Sequence, residues 1–224
     1  MTTIKIFFLL LLFTLSFSAY SQSRYLENGY NGSCFQFNTV ITEDGFTTFG
    51  GSAAYSINGI MDIGFQMNYE SSSIEEEPSK EWDFNFLYNI IVIKQTDYVP
   101  LSLQLEGSYG YTNISSDYLT DLDRTLEGQG FKIGASVFRE FLSRKVVSFL
   151  VGGKVSYKNF VYTQVDTLST NTFREEDLLF GGIAAVSLKP EKWPIFTFEI
   201  EMLYNHSANG IYLRPSFLII TPKF

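Results

Sequence analysis

From Val99 to Tyr111 the chain reads V-P-L-S-L-Q-L-E-G-S-Y-G-Y, with a bulky apolar residue at nearly every odd position and Ser102, Gln104, Glu106 and Ser108 between them. A period of two describes a strand with one apolar face and one wet face. The same alternation recurs in about nine further segments separated by turn or loop residues. Their wet faces carry charges and their apolar faces carry whole aromatic rings. A barrel built from such strands is apolar outside and polar inside. Water opposes that arrangement, whereas hydrocarbon favours it, provided every backbone hydrogen bond closes between strands.

The alternation and the turn residues predict strands over residues 32–42, 46–57, 60–71, 81–94, 99–111, 128–140, 145–162, 175–188, 194–206 and 211–220. Asn58-Gly59 is the strongest short hairpin signal. The alternation slips at Asn159-Phe160, where a bulge or the membrane edge is expected. The fold class is therefore all-β: an antiparallel up-and-down transmembrane barrel, of ten strands, or of eight if the first two segments lie outside the wall.

Short connections at Asn58, Gln95, Leu142 and Pro190 then fall at one end with both termini. Longer ones at Ser72, Asn113 and Thr163 fall at the other, the pattern of periplasmic turns and external loops. The connections assigned to the outside carry a net charge of minus 10, and the periplasmic ends plus 4.

The first 21 residues hold Lys5, an apolar run from Ile6 to Phe17 and the small residues Ala19 and Ser21 before Gln22. This is the layout of a secretory signal, giving a division into a signal peptide (1–21) and a barrel domain (22–224). Without Lys5, 15 basic residues face 24 acidic ones, which disfavours nucleic acid as a partner. Cys34 is the single cysteine, so no internal disulfide can form. We read it as a small residue of the wall.

With its signal, its hairpin meander and its terminal Phe224, the mature chain resembles the small outer-membrane β-barrel proteins of Gram-negative bacteria. The resemblance implies a porin-like transmembrane architecture in the cell outer membrane. It also implies contact with membrane lipid and lipopolysaccharide, and insertion by the barrel-assembly machinery. In that family a C-terminal aromatic residue preceded by alternating apolar residues serves as the assembly signal. Here Phe224 with Leu218 and Ile220 fits, and Pro222 interrupts the alternation. The resemblance does not fix an activity, because this fold carries adhesins, enzymes, narrow channels and plain anchors.

Charges on the inward face form the main candidate site: Asp62, Glu106, Glu199 and Glu201 with Lys132, Lys154, Lys158 and Arg214. Charges in a narrow lumen must be paired or wet. We expect Glu201 to pair with Arg214. Lys132 and Lys154, placed roughly opposite one another, are expected to be neutralised by Glu106 or Glu199. Such a network either closes the barrel or filters ions, and at this strand number a filled interior favours the first.

A second candidate lies at the rim, where His206, Ser207 and Asn209 resemble the His-x-Ser-Asn-x-Gly motif of a lipid A deacylase. Here the serine is adjacent to the histidine, so in a strand the two point to opposite faces. No metal-ligand spacing appears and no cofactor is expected. The function expected is a structural or surface-interaction role through acidic external loops, with an unidentified external ligand. A narrow channel, a lipid-directed hydrolase and a soluble lipocalin-like carrier stand as alternatives; the carrier would need its large apolar side chains pointing inward.

Overall fold

The computed structural model describes residues 25–26, 29–42, 47–71, 79–116, 125–144, 146–165, 170–189, 194–207 and 209–223. Ten strands stand among these: β1 (Asn31–Thr42), β2 (Thr47–Ile57), β3 (Met61–Ser71), β4 (Ser79–Ile93), β5 (Ser102–Ser116), β6 (Thr125–Arg144), β7 (Val147–Val165), β8 (Thr170–Leu188), β9 (Ile195–Asn205) and β10 (Gly210–Lys223). Each runs antiparallel to the next, and β1 closes the barrel on β10 with Asn31 opposite Lys223 and Ile41 opposite Leu213. Because β1 is bonded to both β2 and β10, the eight-strand alternative falls. The proposed signal peptide and Phe224 lie outside the described residues.

Alternation fixes which face each strand shows. Phe65, Phe86, Leu105, Tyr109, Ile133, Val151 and Phe198 are all exposed on the outer wall, Phe65 to 68 %. Between Leu178 and Leu188, the outward positions of β8 are Phe180, Gly182, Ala184 and Val186, without a charge. Rings pair across neighbouring strands, Phe65 with Phe86 and Tyr69 with Trp82, at 5.5 and 4.7 Å between centroids. An outer belt of this kind is stable in acyl chains and overturns the soluble carrier. Asn58 and Gly59 both take left-handed φ values, 54° and 62°, as the two-residue turn requires.

Three expectations are corrected. The segments 113–127 and 163–174 are partly strand: β5 runs on to Ser116, β6 begins at Thr125, β7 runs on to Val165 and β8 begins at Thr170. Polar residues occupy both faces there, so the contrast between faces that reveals a strand inside a membrane is missing above it. Second, no bulge occurs at Asn159-Phe160, where both ladders run on without a shift; the register shifts lie at Ile91–Ile93 and Leu142–Arg144. Asn159 is buried although it is polar, because Arg174 donates to its Oδ1 at 3.0 Å and it donates to the Tyr157 hydroxyl at 3.0 Å.

Third, the interior is not polar throughout. At the end that holds the termini, Cys34, Ile91, Phe138, Leu150, Ile183, Ala185, Leu218 and Ile220 point inward and form an apolar cluster with Tyr25 and Leu26. Leu218 and Ile220 therefore fill the lumen, and Cys34 lines the same core. We call this the floor end and the opposite one the loop end.

The barrel's height is uneven. β6, β7 and β8 have 20, 19 and 19 residues, against 11 in β9. β9 pairs with β8 only from Leu179 to Leu188, so the upper part of β8 rises past the rim as the edge of a tongue. Two bonds tether it: the His206 amide donates to the Leu178 carbonyl at 2.9 Å, and Ser207 Oγ to the Glu176 carbonyl at 2.8 Å.

Candidate functional site

Above the apolar floor lies a cup of about 480 Å³ that opens at the loop end. Its base is the charge network. Lys154 on β7, with no exposed side-chain surface, reaches Glu106 on β5 at 2.6 Å and Glu201 on β9 at 3.3 Å. Arg214 on β10 stands opposite Glu201 in the register and approaches its other oxygen to 3.5 Å. Ser136 donates to Glu106 at 3.1 Å. Two cations and two carboxylates thus bridge four strands and cancel in charge, which is the condition under which buried ions are tolerated.

The remaining inward charges divide by height. Glu199 lies deeper, fully buried, and accepts a hydrogen bond from the Tyr25 hydroxyl. Asp62, 1 % exposed, lies between Ser56 and Asn89 in the ladders. Lys132 faces Lys158 across the β6–β7 ladder, and Lys154 faces Ser136, so Lys132 and Lys154 are not opposite one another as expected. Lys132 and Lys158 belong to the wall of the cup, and Lys158 pairs with Glu175 at 3.1 Å.

Tyr25 and Leu26 seal the floor. Lys94 donates to the Leu26 carbonyl and, at 2.9 Å, to that of Gly59. The Gly29 amide donates to the Asn58 carbonyl at 2.9 Å, and the Asn58 amide to Asn31 Oδ1 at 2.9 Å. The segment before β1 is therefore stitched to the Asn58-Gly59 turn and to the end of β4. No periodicity marks this segment, and sequence reasoning missed it; the lone Lys94 where β4 ends is the signal available.

The mouth was missed as well. Glu70, Glu81 and Asp83 line the cup, and Glu175 and Asp177, at the start of the predicted strand 175–188, turn inward from β8. Thr48 donates to Glu70 at 2.6 Å, and Thr112 donates to Asp83. The inward parity of Glu81 and Asp83 on either side of the outward Trp82 could have found them. Above them Tyr162 stacks on Phe173 at 5.2 Å and 14°, and Phe160 lies 6.2 Å from Tyr162. These rings need room on β6, and Gly128 and Gly130 provide it: a Cβ there would meet Tyr162 or Phe160 at 2.7 Å.

At the rim, His206 and Ser207 are both exposed and Ser207 Oγ is engaged with the Glu176 carbonyl. Asn209 accepts from the Tyr204 hydroxyl at 2.6 Å. The hydroxyl a hydrolase would need for attack is thus given to a backbone carbonyl on the next strand. Among the described residues no group of His, Cys, Asp and Glu is arranged to hold a metal ion.

No protein-family model matches the chain, and no curated protein matches it. Solved structures do. The translocator domain of the autotransporter NalP from Neisseria meningitidis aligns over 87 % of this chain and 88 % of its own, at 13 % identity and a TM-score of 0.52. Neisserial surface protein A aligns over 86 % and 95 %, at 11 % identity and 0.36. The N-terminal β-barrel domain of Pseudomonas aeruginosa OprF aligns over 87 % and 98 %, at 9 % identity and 0.35. The fold is that of the outer-membrane β-barrels.

Proposed function

We propose that this protein is a non-conducting outer-membrane barrel that presents a polar cup and an acidic rim to the outside, in a structural or surface-interaction role. The observation that carries the reading is the closed floor: an apolar cluster fills the barrel at the end of the termini, and Tyr25 and Leu26 lie within it. A pore needs a continuous polar path, and hydrocarbon side chains packed across the lumen remove it. On this reading the wall meets membrane lipid and lipopolysaccharide, the signal over residues 1–21 is removed, and the barrel-assembly machinery inserts the chain with its loop end outward.

Two measurements test it. Reconstituted in a planar bilayer, the purified barrel should give no unitary current steps above the bare membrane. In intact cells, an impermeant maleimide should label a Thr172→Cys variant and not an Asp97→Cys variant, both built on Cys34→Ser. Steady steps, or the opposite labelling, would overturn the proposal.

A further inference from the structure

The cup has the size of a small-molecule pocket, about 480 Å³, and its lining sorts into side chains already engaged and side chains left open. The charged ones are engaged. Lys158 holds Glu175 at 3.1 Å, Arg214 stands 3.5 Å from Glu201, and Lys132 is engaged too. Glu70 and Asp83 accept from the Thr48 and Thr112 hydroxyls, and Asp177 is hydrogen bonded to Asn205. Glu81 is hydrogen bonded to Asp83, a contact that two carboxyl groups make only with a proton between them.

The open side chains are neutral. Asn85 and Asn89 turn into the cup from β4 and Ser108 from β5, with Ser108 opposite Leu87 in the ladder. Among the described residues no group donates to or accepts from these three side chains, although Asn89 is only 5 % exposed. A carboxamide buried to that degree takes a partner, and whatever fills the cup must supply it. Glycines set the neighbouring amides in place. Gly110 faces Asn85 and Gly50 faces Asn68 in the register, and a Cβ at either glycine would meet the amide oxygen at 2.0 Å. Gln66 donates to Asn68 Oδ1 at 2.9 Å, which leaves the Asn68 amino group as a donor. Each carboxamide presents a donor and an acceptor side by side, and two adjacent hydroxyls present the complement. Several such hydroxyl pairs on one small molecule are the chemistry of a sugar. Leu87, between Asn85 and Asn89, offers the apolar contact that the C–H face of a sugar ring takes. A flat aromatic ligand finds less, because Phe160 and Tyr162 are 7 % and 5 % exposed and their faces are covered.

We propose that the cup binds a short neutral saccharide through Asn85 and Asn89, with Asn68 and Ser108 beside them. This gives a ligand class to the surface-interaction role proposed above and rests on that reading only for the side from which the sugar arrives. Binding itself is read in detergent, independent of orientation or conductance.

The test is saturation-transfer NMR on the folded barrel in a detergent without a sugar headgroup, titrated in turn with maltose, lactose, chitobiose, spermidine and glutamate. At least one of the three disaccharides should give a saturable signal, and spermidine and glutamate should not. Asn85→Ala and Asn89→Ala should each weaken that disaccharide about three- to tenfold, the size of one neutral hydrogen bond. Gly110→Ala should weaken it as well by displacing the Asn85 amide, and Thr172→Ala, outside the cup, should leave it unchanged. Gel mobility before and after heating shows which variants are folded; if Asn89→Ala is not, Asn85→Ala and Ser108→Ala carry the test. Lipopolysaccharide micelles that displace the disaccharide would assign the sugar to the membrane's own glycolipid, and micelles that do not would assign it to a free saccharide; either supports the site. A cup that holds water alone gives no saturable signal with any of the three disaccharides, and that result would overturn the proposal. So would equal binding of spermidine or glutamate, or an affinity unchanged in the folded asparagine variants. A silent bilayer without saccharide binding leaves the closed barrel standing; current steps with intact saccharide binding would do the reverse.

Discussion

The Tyr25 phenol donates its proton to Glu199, a carboxylate 174 positions away in sequence and without solvent exposure. That bond joins the segment ahead of β1 to the middle of β9, across the inside of the barrel. Removing the donor leaves a buried carboxylate with one partner fewer. We expect Tyr25→Phe to cost about 1–3 kcal/mol. The readout is the temperature at which the folded, fast-migrating band converts to the unfolded one in detergent. An unchanged transition would show that the hydroxyl does not hold the floor.

Lys154 sits between two carboxylates with no exposed side-chain surface. Deleting its charge takes a buried cation from both, so Lys154→Met should cost about 3–5 kcal/mol. Lys158→Met removes a half-exposed pair and should cost at most about 1 kcal/mol. Adding Glu106→Gln to Lys154→Met should recover part of the loss, because the carboxylate 2.6 Å from the lysine loses its charge as well. Denaturant titration of these proteins and of the Glu106→Gln single variant measures the coupling; equal costs for the two lysines would remove the distinction between base and mouth.

Leu105, the fourth residue of β5, faces outward at 46 % exposure. Leu105→Arg should destabilise the barrel in lipid vesicles by up to about 2–4 kcal/mol, a ceiling set by the cost of a guanidinium at the bilayer midplane. Gln129→Arg, also outward but above the apolar belt, should be tolerated. Equal folding yields would mean that the belt does not lie in hydrocarbon.

Gly130 and Gly153 differ in what surrounds them. A Cβ at Gly130 would lie 2.1 Å from the Asn159 carbonyl oxygen and 2.7 Å from the Phe160 ring, whereas at Gly153 the nearest atom is 3.8 Å away. Gly130→Ala should therefore cost about 1–3 kcal/mol through displaced backbone and ring. Gly153→Ala should be close to neutral. Thermal unfolding of the two variants in one detergent decides it.

What the sequence made legible follows the membrane. Where a strand crosses hydrocarbon, water on one side and lipid on the other force the faces apart. Thus Met61 to Tyr69 and Phe196 to Tyr204 alternate cleanly enough to set the strand number and which residues point inward. Above the lipid both faces are wet, and the tongue formed by β6, β7 and β8 shows no contrast to read. The Glu201–Arg214 neighbourhood follows from strand order and parity alone. Lys132 and Lys154 were misplaced because facing residues depend on register, which alternation leaves open by steps of two. The floor was hidden for a different reason. Apolar residues at inward positions, Leu150, Ile183 and Leu218 among them, look like any other strand residue until the opposite walls are known to meet.

Closure between β1 and β10 puts the first and last strands of the domain side by side, with Thr42 facing Tyr212. The seam cannot zip until β10 has been made, and contacts between such distant positions form slowly. Until then the rings of the outer wall have neither lipid nor partner strand. If the chain is exported as proposed, those rings must be shielded in transit, and reduced supply of periplasmic holding chaperones should deplete it sooner than a protein whose strands all pair locally.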